Sequence, residues 1–186
     1  MRMPPTKNDI LKLLDAFQIP GAKLAVVLAA FSGLHPRQVK ELVFRNLVEF
    51  SLAKKQFLEV PSRIQMMEAV GNRRSTVVRY YTFLSSRGCE WLLEDLKARS
   101  QPLHVDSPVL TEQALKQAEK AVHAAGLRWH DLRDYLYTSC VKVGVSQRVI
   151  DFMLGHVVRQ EDHIMEMLSR EIDYLRKEYR KVDEQF

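Results

Sequence analysis

His130, Arg133 and His156 are the residues whose types and spacing suggest chemistry. His130 and Arg133 are three residues apart, so on a helix they lie on one face, and His156 follows a Leu-Gly pair. A guanidinium is a fixed bidentate donor and an imidazole can donate or accept, so the two side chains can form one polar face. An ordinary structural interpretation stays open for each residue. The HxxR pair is also typical of a surface ion pair with Asp131 or Asp134, and a histidine after a glycine often caps a helix C-terminus.

The distribution of positive charge is the second chemical signal. The 186 residues include 28 Lys+Arg and 23 Asp+Glu, so the formal net charge is +5 and the isoelectric point is about 9.2. That excess favours an anionic partner but does not by itself identify nucleic acid. The cations cluster at Lys54-Lys55, at Arg73-Arg74 with Arg79, and between Arg128 and Arg133.

Missing motifs exclude several classes of site. The sequence has no GxGxxG, GxxxxGK[ST], GxSxG or HExxH, so the usual phosphate cradles and metallohydrolase sites are absent. Cys89 and Cys140 stand in no CxxC or Cys/His cluster, which argues against a zinc site and a secreted disulfide framework. We expect no metal and no cofactor. The sequence has no bilayer-spanning apolar run and its start has no signal-peptide core, so we expect a cytoplasmic protein without a membrane partner.

Helical periodicity dominates both ends of the chain, where the site residues must be positioned. Ile10, Leu11, Leu14 and Phe17 predict a first helix, capped by Asn8 or Asp9 and ended by residues 18–21. Residues 22–32 predict a helix buried on every face, and Pro36 opens a helix whose apolar face is Val39, Leu42, Val43 and Leu47. Further helices are predicted at 87–99, from the Thr111 cap to about Ala125, at 131–143, at 146–153 and in a charged, solvent-facing tail at 159–186.

The middle of the chain changes to a β pattern. VEFSL, QFLEV and VVRYYTFL, between Val48 and Leu84, are rich in β-branched and aromatic residues, and Gly71-Asn72 is the strongest turn signal. We predict two or three antiparallel strands there. The order of helices, a small antiparallel sheet near residues 48–84 and more helices indicates an α+β fold. We expect one domain over 1–186, with an N-terminal helical region at 1–21 and the charged tail at 159–186.

Several short motifs gain specificity from their order along the chain. The downstream motifs are Trp129-His130-Asp131-Leu132-Arg133, Gly144-Val145-Ser146 and Phe152-Met153-Leu154-Gly155-His156. Four other segments belong to the same series: Phe31-Ser32-Gly33-Leu34-His35-Pro36, Tyr81-Thr82-Phe83-Leu84-Ser85, Ser107-Pro108-Val109-Leu110 and Leu175-Arg176-Lys177-Glu178-Tyr179. From about residue 22 onward, the chain thereby resembles the catalytic domain of tyrosine recombinases, the phage-type integrases, and most closely the archaeal members.

The resemblance implies a mostly helical domain that binds double-stranded DNA. Family members cleave one strand at a time with a tyrosine, through a 3′-phosphotyrosyl link, without metal or nucleotide cofactor. Two arginines and one or two His or Lys groups neutralise the phosphate, and a hairpin lysine protonates the leaving oxygen. By position, Arg133 matches the second arginine, His130 matches the group three residues before it, and His156 matches the histidine after the LG turn. These three are the carried-over site residues.

The first arginine and the hairpin lysine of the family are both replaced. His35 stands at the arginine's place, with Arg37 two residues on and Gln38 where a glutamate is usual. A neutral imidazole does not replace a bidentate guanidinium. The sequence has no lysine between positions 55 and 97, and the hairpin carries Arg73 and Arg74, which hold their protons too tightly to act as acids.

The nucleophile is also missing from its usual place. About nine residues after His156 the family has a tyrosine, whereas this chain has His163-Ile164-Met165. Tyr174 is the candidate nucleophile if an insertion shifts the motif or if the tail reaches a neighbouring subunit. Tyr174 and Tyr179 also fit an ordinary amphipathic helix that turns Ile172, Leu175 and Tyr179 inward.

Three functions are consistent with these matches and departures. The first is a DNA-binding, integrase-like protein of a mobile element, acting in DNA integration and recombination with strand cleavage lost or impaired. Its phosphate contacts are expected from the site residues Arg133, His130, His156 and His35 and from the basic residues Arg37, Arg73, Arg74, Arg79 and Arg128.

The second function is an active recombinase in which Arg37 takes the first arginine's role, Arg73 or Arg74 serves in the hairpin, and Tyr174 attacks. The third is a helical interaction module, in which the C-terminal helix docks on a partner or joins copies into a homo-oligomer on DNA. Only about twenty residues precede the family match, so we expect no N-terminal core-binding domain.

Overall fold

The structure is a computed structural model. It describes residues 3–58, 63–73, 76–156 and 170–185, with the backbone alone at 72, 73 and 76–78. The helices are α1 (Lys7–Asp15), α2 (Pro20–Ala30), α3 (Pro36–Glu41), a 3₁₀ turn (Phe44–Asn46), α4 (Ser86–Ala98), α5 (Glu112–Ala124), α6 (Trp129–Lys142), α7 (Gln147–Met153) and α8 (Ile172–Asp183). The strands are β1 (Phe50–Ser51), β2 (Gln56–Phe57), β3 (Gln65–Arg73) and β4 (Thr76–Leu84). The fold class is α+β, as the element order of the sequence predicts.

Helix α2 is the centre of the fold. It is apolar nearly all round, and every residue from Leu24 to Ala30 is buried. Pro20 occupies its first turn, where a missing N–H costs no hydrogen bond. Helices α4, α5 and α6 pack around it. A helix surrounded in this way needs no polar face, which confirms the prediction of a fully buried helix.

Helix α3 ends earlier than its apolar pattern predicts. The predicted face continued through Leu42 and Val43 to Leu47, but Leu42 is already extended and the helix stops at Glu41. The carbonyl of Leu42 accepts a hydrogen bond from the Val109 N–H at 2.9 Å, and Val43 forms a bridge with Pro108. Pairing with this distant loop replaces the helical hydrogen bonds after residue 41.

The strands form two separate antiparallel hairpins. The small one pairs β1 with β2, and the long one pairs β3 with β4 from Gln65↔Leu84 to Arg73↔Thr76. The prediction that Gly71-Asn72 forms the turn is wrong, because both residues lie inside β3, opposite Val78 and Val77. The β-branched residues of β4 extend the ladder beyond the glycine.

The β3–β4 hairpin separates two apolar clusters. One cluster surrounds α2 and includes Met67, Ala69 and Tyr80 from the hairpin. The other contains Phe83 and residues of α6, α7 and α8. Because strand side chains alternate between faces, one hairpin contributes to both clusters and fixes their relative positions.

Helix α8 is not a solvent-facing tail. Leu175, Tyr179 and Val182 are fully buried, which confirms the inward face predicted at Leu175 and Tyr179. The Tyr179 hydroxyl donates a 2.6 Å hydrogen bond to the Phe31 carbonyl, and Arg176 pairs with Glu49. The predicted tail also includes residues 159–169 and 186, which lie outside the described residues.

No described helix combines the length and apolarity needed to cross a membrane. No group of three or more His, Cys, Asp or Glu residues within the described part of the chain is placed to hold a metal ion.

Candidate functional site

A cavity of about 450 Å³ opens where α3, α6, the end of α7 and the β3–β4 hairpin meet. Four of the residues singled out in the sequence line it: His35, Arg37, Arg133 and His156. The rest of its lining is Gln38, Glu41, Val70, Gly71, Tyr80, Leu154 and Gly155. Residues as far apart in the sequence as His35 and His156 thus line the same cavity.

Two glycine turns bring the distant segments together. Gly33, which ends α2, has φ +70°, and a Cβ there would lie 2.5 Å from Leu154 Cδ2 and 2.9 Å from Leu136 Cδ2. The close approach of the turns at 33 and 154 places His35 and His156 on the same cavity. A side chain at position 33 would displace the side chains of Leu154 and Leu136 and would strain the backbone.

Gly155 makes a second close approach, with φ +66°. A Cβ there would lie 2.6 Å from the ring of Tyr80. The Leu-Gly-His turn therefore packs directly on the Tyr80 ring of strand β4. Only glycine fits both the positive φ at position 155 and the small space beside the ring.

Arg133 is a cation that lines the cavity. It lies on α6, is partly buried, and its Nη2 donates a 2.7 Å hydrogen bond to the Leu154 carbonyl. Burial lowers the pKa of Arg133, and the opposing influence of Tyr80 and Asp134 is weaker. Within the described residues, Arg133 forms no ion pair with a carboxylate. Its remaining donors are therefore available to an anion.

His35 is the N-cap of α3 and presents its imidazole to the cavity. Its Nδ1 accepts a hydrogen bond from the Arg37 N–H at 3.4 Å, which leaves Nε2 as the protonated nitrogen of the neutral ring. Burial lowers the pKa of His35, and the charges of Arg133 and His130 lower it further. These charges act on His35 because α3 and α6 converge here, so His35 and His130 both lie near Arg133.

His156 and Arg37 each have an acidic neighbour. Nδ1 of His156 is 3.9 Å from Asp151 Oδ1, and half of its side chain is exposed. Nε of Arg37 is 2.7 Å from Glu41 Oε1 in an exposed pair. Since exposed pairs are weak, Arg37 can exchange this partner for another anion at little cost.

Gln38 and Tyr80 complete the wall of the cavity. The Gln38 Nε2 donates to the Val70 carbonyl at 3.0 Å and to the Tyr80 hydroxyl at 2.9 Å. Burial raises the pKa of Tyr80 above its usual value. Sequence reasoning missed Tyr80 as a site residue, although the two-residue period of a strand puts it on the same face of β4 as Thr82 and Leu84.

The other candidate residues do not line the cavity. His130 is exposed beside it, with Nε2 3.7 Å from Asp134 Oδ1. Arg79 is exposed on β4, and Arg128 caps α6 through a 2.7 Å ion pair with Asp131. Tyr174 is 42% exposed on α8. Arg74 and the side chain of Arg73 lie outside the described residues, as does the window around His163.

The arrangement can bind an oxyanion. A guanidinium with free donors, two imidazoles and a second, exchangeable guanidinium line one cavity. Such a site neutralises a phosphate and orients it through directed hydrogen bonds. The cavity opens to solvent, so the phosphate can belong to a polymer.

Comparisons with known proteins support the fold. The structure is similar to that of the integrase from mycobacterium phage Brujita, with a TM-score of 0.64 and 18% sequence identity. The match covers 98% of this chain and 58% of that integrase, so the chain spans little more than half of its length. No family model and no curated protein matches the sequence. At this level of identity the similarity establishes an integrase-like fold.

Proposed function

We propose that this chain binds the phosphate backbone of double-stranded DNA through the cavity, as an integrase-like recombinase domain with lost or impaired strand cleavage. The observation that carries the proposal is the convergence of Arg133, His35, His156 and Arg37 on one opening in an integrase-like fold. Their order along the chain resembles the order of motifs in tyrosine recombinases, so a mobile element is the proposed source.

The electrostatics of the site favour a phosphate ligand. Arg133 retains donors that no carboxylate in the described residues occupies, and Arg37 is held only by an exposed pair with Glu41. The exposed Arg79 and the protein's formal net charge of +5 extend the attraction beyond the cavity. Affinity that depends on such contacts falls steeply with salt.

The tyrosines support impaired cleavage. Tyr80 is the tyrosine among the lining residues, but it is only 3% exposed and its hydroxyl is bonded to Gln38. Residues 157–169, which follow the Leu-Gly-His turn, contain no tyrosine at all. Tyr174 is exposed on α8 and does not line the cavity. A nucleophile must lie within reach of the phosphorus, and none of the described tyrosines combines reach with exposure.

The helical interaction module has less support. Its docking element would be the C-terminal helix, yet the apolar face of α8 is buried in the same chain. A homo-oligomer on DNA through this helix would require α8 to leave that position.

The test is incubation with a nicked suicide duplex, in which cleavage traps a covalent adduct that a denaturing gel resolves. Wild type, Tyr174→Phe and Tyr80→Phe are compared, and noncovalent binding is followed in parallel by fluorescence anisotropy. We expect binding without adduct in all three proteins. An adduct that disappears only in Tyr174→Phe would identify an active recombinase with a relocated nucleophile. Absence of binding even at low salt would refute the proposal.

A further inference from the structure

Gln38 connects three parts of the cavity wall. Its Oε1 accepts a 2.7 Å hydrogen bond from the backbone N–H of His35. Its Nε2 donates to the Val70 carbonyl at 3.0 Å and to the Tyr80 hydroxyl at 2.9 Å. One side chain therefore ties the first turn of α3 to both strands of the β3–β4 hairpin.

The partners of Gln38 require an amide. The His35 N–H needs an acceptor, whereas the Val70 carbonyl needs a donor, and only a group with both fits between them. A glutamate would occupy the same volume. Its ionised carboxylate has no donor, so it would place an oxygen against the Val70 carbonyl and break the connection to β3.

The charge of position 38 matters as well as its hydrogen bonds. Among the charged lining residues, Arg37 and Glu41 form a pair at 2.7 Å, so Arg133 is the cation whose charge no lining carboxylate cancels. A carboxylate at position 38 would cancel it. Like charges in a partly buried site repel strongly, so an anion would then meet a carboxylate instead of a neutral amide.

We infer that Gln38 is a positioning and selectivity residue of this cavity: its neutral amide holds the hairpin against α3 and keeps a second carboxylate away from the bound oxyanion. The inference rests on the proposed function, since phosphate is the anion that DNA presents.

Two substitutions separate the two roles. Gln38→Glu removes the amide donor and adds a charge, whereas Gln38→Met removes the hydrogen bonds without adding a charge. Both variants lose the connection to Val70, but Gln38→Glu can still accept hydrogen bonds from the His35 N–H and the Tyr80 hydroxyl. The part of the difference between them that depends on pH therefore reports the charge. Near-ultraviolet circular dichroism and urea unfolding identify any variant that has lost its fold.

Two probes are used with wild type and both variants. Inorganic sulfate, followed by NMR shifts of the Gly71 and Gly155 amides, tests the anion site itself, and it keeps its double charge throughout the pH range. A fluorescent DNA duplex, followed by anisotropy, tests the proposed function. Sulfate discrimination without DNA binding in the wild type would refute the proposed function and leave this inference standing.

We expect Gln38→Glu to bind both probes at least about fivefold more weakly than Gln38→Met near neutral pH. The gap should close as the pH falls through the range in which a carboxyl protonates, from about 6 to about 4. The charged and titratable groups that face position 38 are His35, Arg37, Glu41, Tyr80, Arg133 and His156, with His130 nearby. Because they are common to both variants, their own titration largely cancels in the ratio.

Three results would overturn the inference. Equal losses in Gln38→Glu and Gln38→Met at every pH would show that the charge of position 38 does not matter. Wild-type affinity in both variants would show that the amide positions nothing. Failure of the wild type to bind either probe would remove the anion site altogether.

Discussion

Arg133 on α6 and Arg176 on α8 each donate a guanidinium hydrogen bond to a backbone carbonyl, that of Leu154 for the first and that of Ile64 for the second. Arg176 also pairs with Glu49, and both of these side chains are largely covered, at 7% and 15% exposure. Arg133 faces the cavity and, among the described residues, has no carboxylate in ion-pair range. Both arginines thus donate to a backbone carbonyl, but among the described residues only Arg176 also has a carboxylate within ion-pair distance.

That difference separates a structural cation from a binding cation. The Arg176–Glu49 pair fixes α8 to the residues before the long hairpin, and its charges cancel where water is excluded. Burial lowers the pKa of Arg133, and the opposing influence of Tyr80 and Asp134 offsets this cost only in part. A bound phosphate would supply the missing partner. An uncompensated, partly buried cation facing an opening is therefore the clearest mark of function in this fold.

The largest expected effect is on stability, and it concerns Arg176. Arg176→Met leaves Glu49 buried without a cation, which should lower the free energy of unfolding by about 3 kcal/mol. Arg133→Met removes one hydrogen bond to a carbonyl beside an open cavity and should cost about 1 kcal/mol or less. Urea unfolding of both variants measures the difference.

The matched control for this pair is Arg176→Met combined with Glu49→Gln. In the wild type, Oε2 of Glu49 accepts a 2.7 Å hydrogen bond from the Met66 N–H. A glutamine at position 49 has no negative charge, and its amide oxygen can still accept this hydrogen bond. This double variant should recover part of the lost stability. Equal destabilisation by Arg133→Met and Arg176→Met would break the comparison, because both arginines would then be structural.

The second expected effect is on DNA affinity, and it concerns Arg133. Arg133→Met should bind a duplex about tenfold more weakly, since a charge-assisted hydrogen bond contributes about 1.5 kcal/mol. The slope of log affinity against log salt should become shallower by about 0.9, the contribution of one phosphate contact. The double variant at Arg176 and Glu49 should keep the wild-type slope. Fluorescence anisotropy over a salt series checks both values, and loss of affinity only in the Arg176 double variant would reverse the assignment.

The sequence predicts the local part of the fold well and its long-range part poorly. Thr111 as a cap and Gly126 as a stop delimit α5 because capping depends on neighbouring residues. The end of α3 and the position of the hairpin turn were predicted wrongly. Both depend on pairing between distant segments, Leu42 with Val109 and Gly71 with Val78, which helical periodicity and turn propensity do not register.

The candidate site is predictable to a similar extent. Arg133, His35 and His156 were selected through their motifs, and the structure brings all three to one cavity. The roles of Gln38 and Tyr80 in its wall arise only from tertiary contact, because β4 brings the tyrosine beneath Gly155. The sequence shows that Arg79 and Arg128 are charged. It does not show that both lie away from the cavity, which is known only from the structure.

The smallest expected effect is a change in the pKa of His35. This change measures the electrostatic influence of Arg133 on the imidazole. Burial is the main cause of the lowered pKa of His35, and the charge of Arg133 is the next cause. Arg133→Met removes that charge, so the pKa of His35 should rise toward its usual value of 6.5. The double variant at Arg176 and Glu49 should leave it unchanged. A histidine NMR titration of the three proteins gives the pKa directly.

The same shift has a consequence for stability, and this consequence is smaller in the Arg133→Met variant. A folded pKa below the unfolded value means that the unfolded state binds the proton more tightly. The contribution of His35 is therefore fully present above about pH 6.5 and is lost as the pH falls through that value toward the lower folded pKa. In Arg133→Met the two pKa values lie closer together, so the acid-induced loss should be smaller than in the wild type. Parallel acid-dependent losses in both proteins would mean that Arg133 does not act on His35, and the cavity would then lack the convergence of α3 and α6 on which its anion chemistry depends.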